Sequence, residues 1–114
     1  MHELGIVFHV IRTVERLGEE NELTRVASVT LDVGEVSGAV PRELSNCWDW
    51  AVQKSDLMRG ASLHIETQTA VTHCDGCGED YPTVPHGRTC PLCGSGETWL
   101  KAGSEISIRE IEGA

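Results

Sequence analysis

The amino-acid sequence predicts an α+β chain with a cysteine-rich ribbon set in just before its last strand. Three observations carry that prediction. Apolar residues recur at three- and four-residue steps in two stretches. Strict alternation marks three other stretches. Four cysteines crowd into a window rich in glycine and proline.

Residues 3 to about 20 carry the first helical pattern. Leu4, Val7, Ile11, Val14 and Leu17 form one stripe, while Arg12, Glu15, Arg16 and Glu19 fall mostly elsewhere, and Gly18 and Asn21 are stop signals. Glu19, Glu20 and Glu22 read as a solvated helix end. Ser28–Val33 alternates, with Val29, Leu31 and Val33 on one face, and Gly34 ends it. Pro41 suits the first turn of a second helix, in which Leu44, Cys47, Trp48 and Ala51 give i, i+3, i+4, i+7 spacing. After Gly60, Leu63, Ile65 and Thr67 alternate with His64 and Glu66. Near the end, Ile106 and Ile108 alternate with Ser107 and Arg109.

Between residues 73 and 99 periodicity fades among five glycines and three prolines. Residues 73–99 are therefore expected to form a ribbon that only a metal can organise, and residues 1–72 with 100–114 the remaining α/β lobe. At 114 residues the chain has room for a small core and no second large domain. Its 18 Asp and Glu against 9 Lys and Arg argue against nucleic acid, whose phosphates need cations, and against an anionic membrane surface. No apolar run approaches the roughly 20 residues of a membrane span. The opening Met1-His2-Glu3-Leu4 lacks the basic and small-residue signature of a signal peptide, so a cytoplasmic address is expected.

Five cysteines fit a closed disulfide framework poorly. Four of them form Cys74-Asp75-Gly76-Cys77 and Cys90-Pro91-Leu92-Cys93, two Cys-x-x-Cys turns 12 residues apart. Each turn can place two thiolates at neighbouring corners of one tetrahedron, and the glycine after each pair, Gly78 and Gly94, permits the tight turn. A closed shell of four thiolates is the mark of a structural Zn²⁺ site. A rubredoxin-like iron electron carrier shares these motifs, as does a dithiol oxidoreductase, but some 70 residues ahead of the knuckles weigh against the iron reading. A zinc-ribbon adaptor that binds partners and no second metal is the other alternative. Arg88 alone stands against Asp75, Glu79, Asp80 and Glu97 in this segment, which again disfavours nucleic acid.

His2 matters by position. A free α-amine, the next amide nitrogen and an imidazole at residue 2 can close adjacent chelate rings on one ion, and deprotonated amides favour square-planar Ni²⁺ or Cu²⁺. A lone surface histidine is more often just solvated, so chemistry alone does not decide the point.

Met1-His2-Glu3 opening a helix, the Leu31-Asp32-Val33-Gly34-Glu35 stretch with Ser37, the two cysteine knuckles, and the ending Gly103-Ser104-Glu105-Ile106-Ser107-Ile108-Arg109-Glu110-Ile111-Glu112 resemble the HypA/HybF family of hydrogenase nickel-incorporation proteins over the whole chain. The resemblance implies a non-enzymatic nickel metallochaperone for [NiFe]-hydrogenase maturation. It implies a nickel-binding lobe of a three-stranded sheet and two helices, beside a zinc ribbon. It places nickel on the His2 imidazole with mainly backbone atoms of Met1, His2 and Glu3, and zinc on Cys74, Cys77, Cys90 and Cys93. Partners follow: a nickel-handling GTPase and the hydrogenase large-subunit precursor. His73 and His86 are candidate further ligands that no motif fixes. The ribbon's connection is compatible with strand or domain exchange between copies, hence a homodimer. There is no Gly-x-x-x-x-Gly-Lys-Ser/Thr loop, so nucleotide hydrolysis would belong to the partner.

The remaining candidates read as structural. Cys47 lies on the apolar stripe as a core thiol. His9 flanks the core and His64 faces solvent. Trp48 and Trp50 diverge by about 200°, so one is core and the other a partner-surface candidate.

Overall fold

The computed structural model describes residues 3–114, so the nickel ligands expected at Met1 and His2 lie outside the described residues. The first helix, α1, runs Glu3–Glu20 and buries Val7, Val10, Ile11, Val14 and Gly18. Leu4 and Leu17 of the expected stripe are half-buried at its ends, and Val10 joins it. Gly18 does not stop the helix. It lies inside, where a Cβ would meet Leu57 Cδ2 at 2.7 Å. The stop comes at Glu22, whose φ of 56° turns the chain so that the Leu23 N–H donates to the Gly18 carbonyl.

Strand β1 spans Val26–Gly34, two residues earlier than alternation alone marked, and buries Val29, Leu31 and Val33. It is the middle strand of a sheet whose flanking strands are β2, Ser62–Gln68, and β6, Ile106–Gly113. That place explains its burial. On edge strand β2, Leu63 and Ile65 are only half-buried and Thr67 is exposed. Arg109 of β6 binds Asp32 of β1 at 2.9 Å and also reaches Glu66 of β2, so one guanidinium laces three strands.

Helix α2, Pro41–Ala51, has proline at its first turn and continues into a 3₁₀ turn, Val52–Lys54. Leu44, Trp48 and Ala51 are buried, while Cys47 is half-buried rather than a full core residue. The Trp48 indole N–H donates to the Ala61 carbonyl at 2.9 Å. Trp50, two residues on, is 55% exposed, edge-on to Phe8 and beneath the Lys54 ammonium. The tryptophans divide as their 200° separation requires.

The glycine-rich segment contains a second sheet that periodicity could not show. Strand β3, Val71–Cys74, lies between β4, Asp80–Pro82, and β5, Thr98–Ala102, antiparallel to both. A one-turn helix, α3, covers Thr83–His86. Register sets Thr72 against Tyr81, and His73 against both Asp80 and Trp99. Lys101 is the extra residue of a bulge in β5. The chain divides into two compact units. The first holds the chain up to Asp32 with Ala39–Glu66 and Ser107–Ala114, and the second holds Val33–Gly38 with Thr67–Ile106. The second unit is thus wider than 73–99: β3 begins at Val71, β5 runs to Ala102, and the turn at Val33–Gly38 belongs to it. No described helix is long and apolar enough to cross a membrane.

Candidate metal centre

Each cysteine pair closes the same local turn. The Gly78 N–H donates to the Cys74 carbonyl and the Gly94 N–H to the Cys90 carbonyl, both at 2.8 Å. Five residues on, the Glu79 carbonyl accepts the Cys74 N–H and the Ser95 carbonyl accepts the Cys90 N–H. Gly78 and Gly94 have φ of 79° and 75°, the left-handed region that side chains resist. The two knuckles are copies of one turn, which is why both end in glycine.

Folding brings the four sulfurs together. All lie within 4.8 Å of one another, with Cys74 Sγ 3.6 Å from Cys93 Sγ and Cys77 Sγ 3.7 Å from Cys90 Sγ. A tetrahedron of thiolates about 2.3 Å from Zn²⁺ has edges of about 3.8 Å, so the donor set fits that ion. Cys74 and Cys90 are buried and form the unit's small core with Tyr81, while Cys77 and Cys93 face outward. The Tyr81 hydroxyl donates to the Gly87 carbonyl.

Crowding sets the sulfur electrostatics. The Glu79 N–H favours a thiolate at Cys77, yet burial and the three neighbouring thiols push it up to about 12. At Cys90 burial raises the value, but N–H groups of Cys93 and Leu92 and the adjacent thiols bring it down to about 7. A bound cation deprotonates coordinating thiols outright.

A polar network that sequence reading missed braces the first knuckle. The Lys101 ammonium donates to Asp80 at 2.7 Å, and the other Asp80 oxygen holds His73 Nδ1 at 2.6 Å. His73 Nε2 lies 3.6 Å from Asp75, whose carboxylate also accepts the Trp99 indole N–H at 3.2 Å. Lys101 first and then His73 hold the Asp80 carboxyl below its ordinary range. Alternation at Val71–Cys74 was the available signal, since it puts His73 opposite the face of Thr72 and Cys74. His73 is thereby engaged with carboxylates, and exposed His86 sits edge-on to Tyr81. The metal-ligating cluster among the described residues is the four cysteines.

Of the amino-terminal candidates the structure places Glu3, the first residue of α1. Its carboxylate accepts the Val40 N–H at 3.1 Å, at the residue that caps α2. Of the residues set aside as structural, His9 and His64 are exposed.

A family model described as hydrogenase/urease nickel incorporation, metallochaperone, HypA, matches residues 1–113. The chain belongs to the HypA family. Curated relatives named hydrogenase maturation factor HypA agree end to end. The protein of Albidiferax ferrireducens is 30% identical, with 98% of each chain covered, and that of Chlorobium phaeobacteroides is 33% identical, with 97% of each covered. The solution structure of the Ni metallochaperone HypA from Helicobacter pylori superposes with a TM-score of 0.76 over 99% of this chain and 97% of that one. At 21% identity that likeness speaks for the fold. HypA membership gives this α+β chain its role as a nickel metallochaperone of hydrogenase maturation, and the four-cysteine site fits structural zinc.

Proposed function

We propose that this HypA chain carries Ni²⁺ as transient cargo at its amino terminus, on the His2 imidazole with mainly backbone atoms of Met1, His2 and Glu3, and holds Zn²⁺ on Cys74, Cys77, Cys90 and Cys93. The observation that supports the nickel assignment is that the chain is already helical at Glu3, the first described residue. The first N–H groups of a helix have no intrahelical acceptor, so coordination through the amide nitrogens of His2 and Glu3 breaks no helical hydrogen bond. The Glu3 carboxylate, turned to Val40, supports a backbone contribution from that residue.

Nitrogen ligands at a chain end suit a carrier, which must release as well as hold. Copper binds such ligands more tightly in the Irving–Williams order, so selectivity falls to metal supply and docking. The partners we propose are a nickel-handling GTPase of hydrogenase maturation and the hydrogenase large-subunit precursor, in the cytoplasm, where a reducing environment keeps the four thiols available. The role requires no bond-making by this chain, and nucleotide hydrolysis belongs to the partner.

Nickel titration tests the reading, with three proteins side by side: the native amino terminus, His2→Ala, and a form extended by a few residues before Met1. The native form is expected to bind one Ni²⁺ and the other two to lose most of that affinity. Equal binding by all three overturns the site and favours a zinc-ribbon adaptor. Metal analysis and visible absorption separate zinc from a coloured ferric tetrathiolate.

A further inference from the structure

The Gly34-Glu35-Val36 turn after β1 holds none of the four cysteines, yet three of its backbone N–H groups and one side chain are hydrogen-bonded to distant chain. Its backbone binds both strands of chain that frame the cysteine sheet. The Glu35 N–H donates to the Gln68 carbonyl at 2.8 Å, the Val36 N–H to Gly103 at 2.9 Å, and the Gly34 N–H to Glu105 at 2.8 Å. The Glu35 carboxylate then accepts the Ala70 N–H at 2.9 Å in a partly buried bond. Ala70 is fully buried, and its carbonyl in turn accepts the Thr83 N–H at 3.0 Å.

The fit leaves no spare room. A Cβ on Gly34 would meet the Gly103 carbonyl oxygen at 2.1 Å. One on Gly103, whose φ is 105°, would meet Ala70 Cα at 2.4 Å. Thr69 and Ala70 belong to no strand, so the sheets do not account for how their backbone is held. The outgoing chain at 68–70 and the returning chain at 103–105 are pinned by one turn.

We infer that Glu35 is the positioning residue of a clasp that locks the two chain segments entering and leaving the cysteine sheet, and thereby sets how slowly the four-cysteine site releases its cation. The physical argument is one of local opening. β3 and β5 carry Cys74 and the Trp99 brace, and they begin and end at the clasped segments. Full release of a cation includes breaking its bond to buried Cys74 of β3, which loosening of that sheet exposes, and clasped ends suppress the loosening. A carboxylate accepting a backbone N–H is among the stronger single hydrogen bonds, and its loss strands a buried donor.

The test uses the full-length zinc-loaded chain, its Glu35→Ala and Glu35→Gln variants, amide hydrogen exchange, and the rate of zinc transfer to a chromogenic chelator. In the unaltered protein the Ala70 amide is expected to be protected as a strand amide is, although it lies in none. Glu35→Ala should speed both Ala70 exchange and zinc transfer by roughly tenfold or more. Glu35→Gln keeps an acceptor oxygen at the same reach and should stay within about threefold of the parent. An unprotected Ala70 amide in the unaltered protein overturns the clasp without any variant having to fold. Faster exchange with unchanged zinc transfer overturns its hold on the metal, as does a glutamine variant no better than alanine. The chelator arm rests on zinc at the four cysteines and the exchange arm does not, and neither depends on nickel at His2.

Discussion

The Glu3 carboxylate accepts the Val40 backbone N–H at 3.1 Å, joining the first residue of α1 to the residue just before α2. This bond ties the first described turn of α1 to the start of α2. Glu3→Ala should therefore lower stability by about 1 kcal/mol, a melting shift of roughly 4 °C by calorimetry. Nickel stoichiometry should stay at one, because the residue's proposed contribution is backbone. Loss of nickel in Glu3→Ala at unchanged helicity would assign the carboxylate to the metal instead.

Trp48 is fully buried and its indole N–H meets the Ala61 carbonyl at 2.9 Å. Trp48→Phe keeps most of the ring but leaves that buried carbonyl without its donor, a cost of about 1–3 kcal/mol. Trp48→Ala adds a cavity and should cost about 3–5 kcal/mol. Denaturant unfolding of the two variants beside Trp50→Phe provides the check, since Trp50 is more than half exposed and its ring should matter far less.

Removing the cation should act on one unit. Cys74→Ser, or prolonged chelation, should release the proposed zinc and abolish amide protection in β3, β4 and β5, whose small core is Cys74, Cys90 and Tyr81. Helical circular dichroism from α1 and α2 should persist. Collapse of both units together would show that the first cannot stand on its own apolar core.

Asp80 gives an acid-side prediction. Its carboxyl is held below the ordinary range by Lys101 and then His73, so it binds protons less readily folded than unfolded. Its contribution is present above the ordinary aspartate value and is lost as pH falls through the lower folded one. In metal-free protein, Asp80→Asn should lower stability near neutrality and flatten the remaining decline below about pH 4. Curves for parent and variant that run parallel from neutral to acid would remove the carboxylate from this role.

Much of the first unit was legible because long elements repeat their signal. α1 runs about five turns with Val7, Ile11 and Val14 on one side, and alternation in β1 shows Val29, Leu31 and Val33. The second unit was opaque for the complementary reason. β3 has four residues and β4 three, too few for a period to emerge, and Gly18 looked like a stop when it was a contact with Leu57.

The four-cysteine cluster was legible in the sequence, since two Cys-x-x-Cys turns, each with a following glycine, are local objects, while folding brought the two turns together. So were the two helices and the family. Tertiary structure alone decided what joins residues distant in the chain. It set Glu35 on the Ala70 N–H, laced Asp32 and Glu66 to Arg109, and ran Lys101 through Asp80 and His73 toward Asp75. Such bonds depend on sheet register and on where a turn lands, and neither leaves a periodic trace in the order of the amino acids.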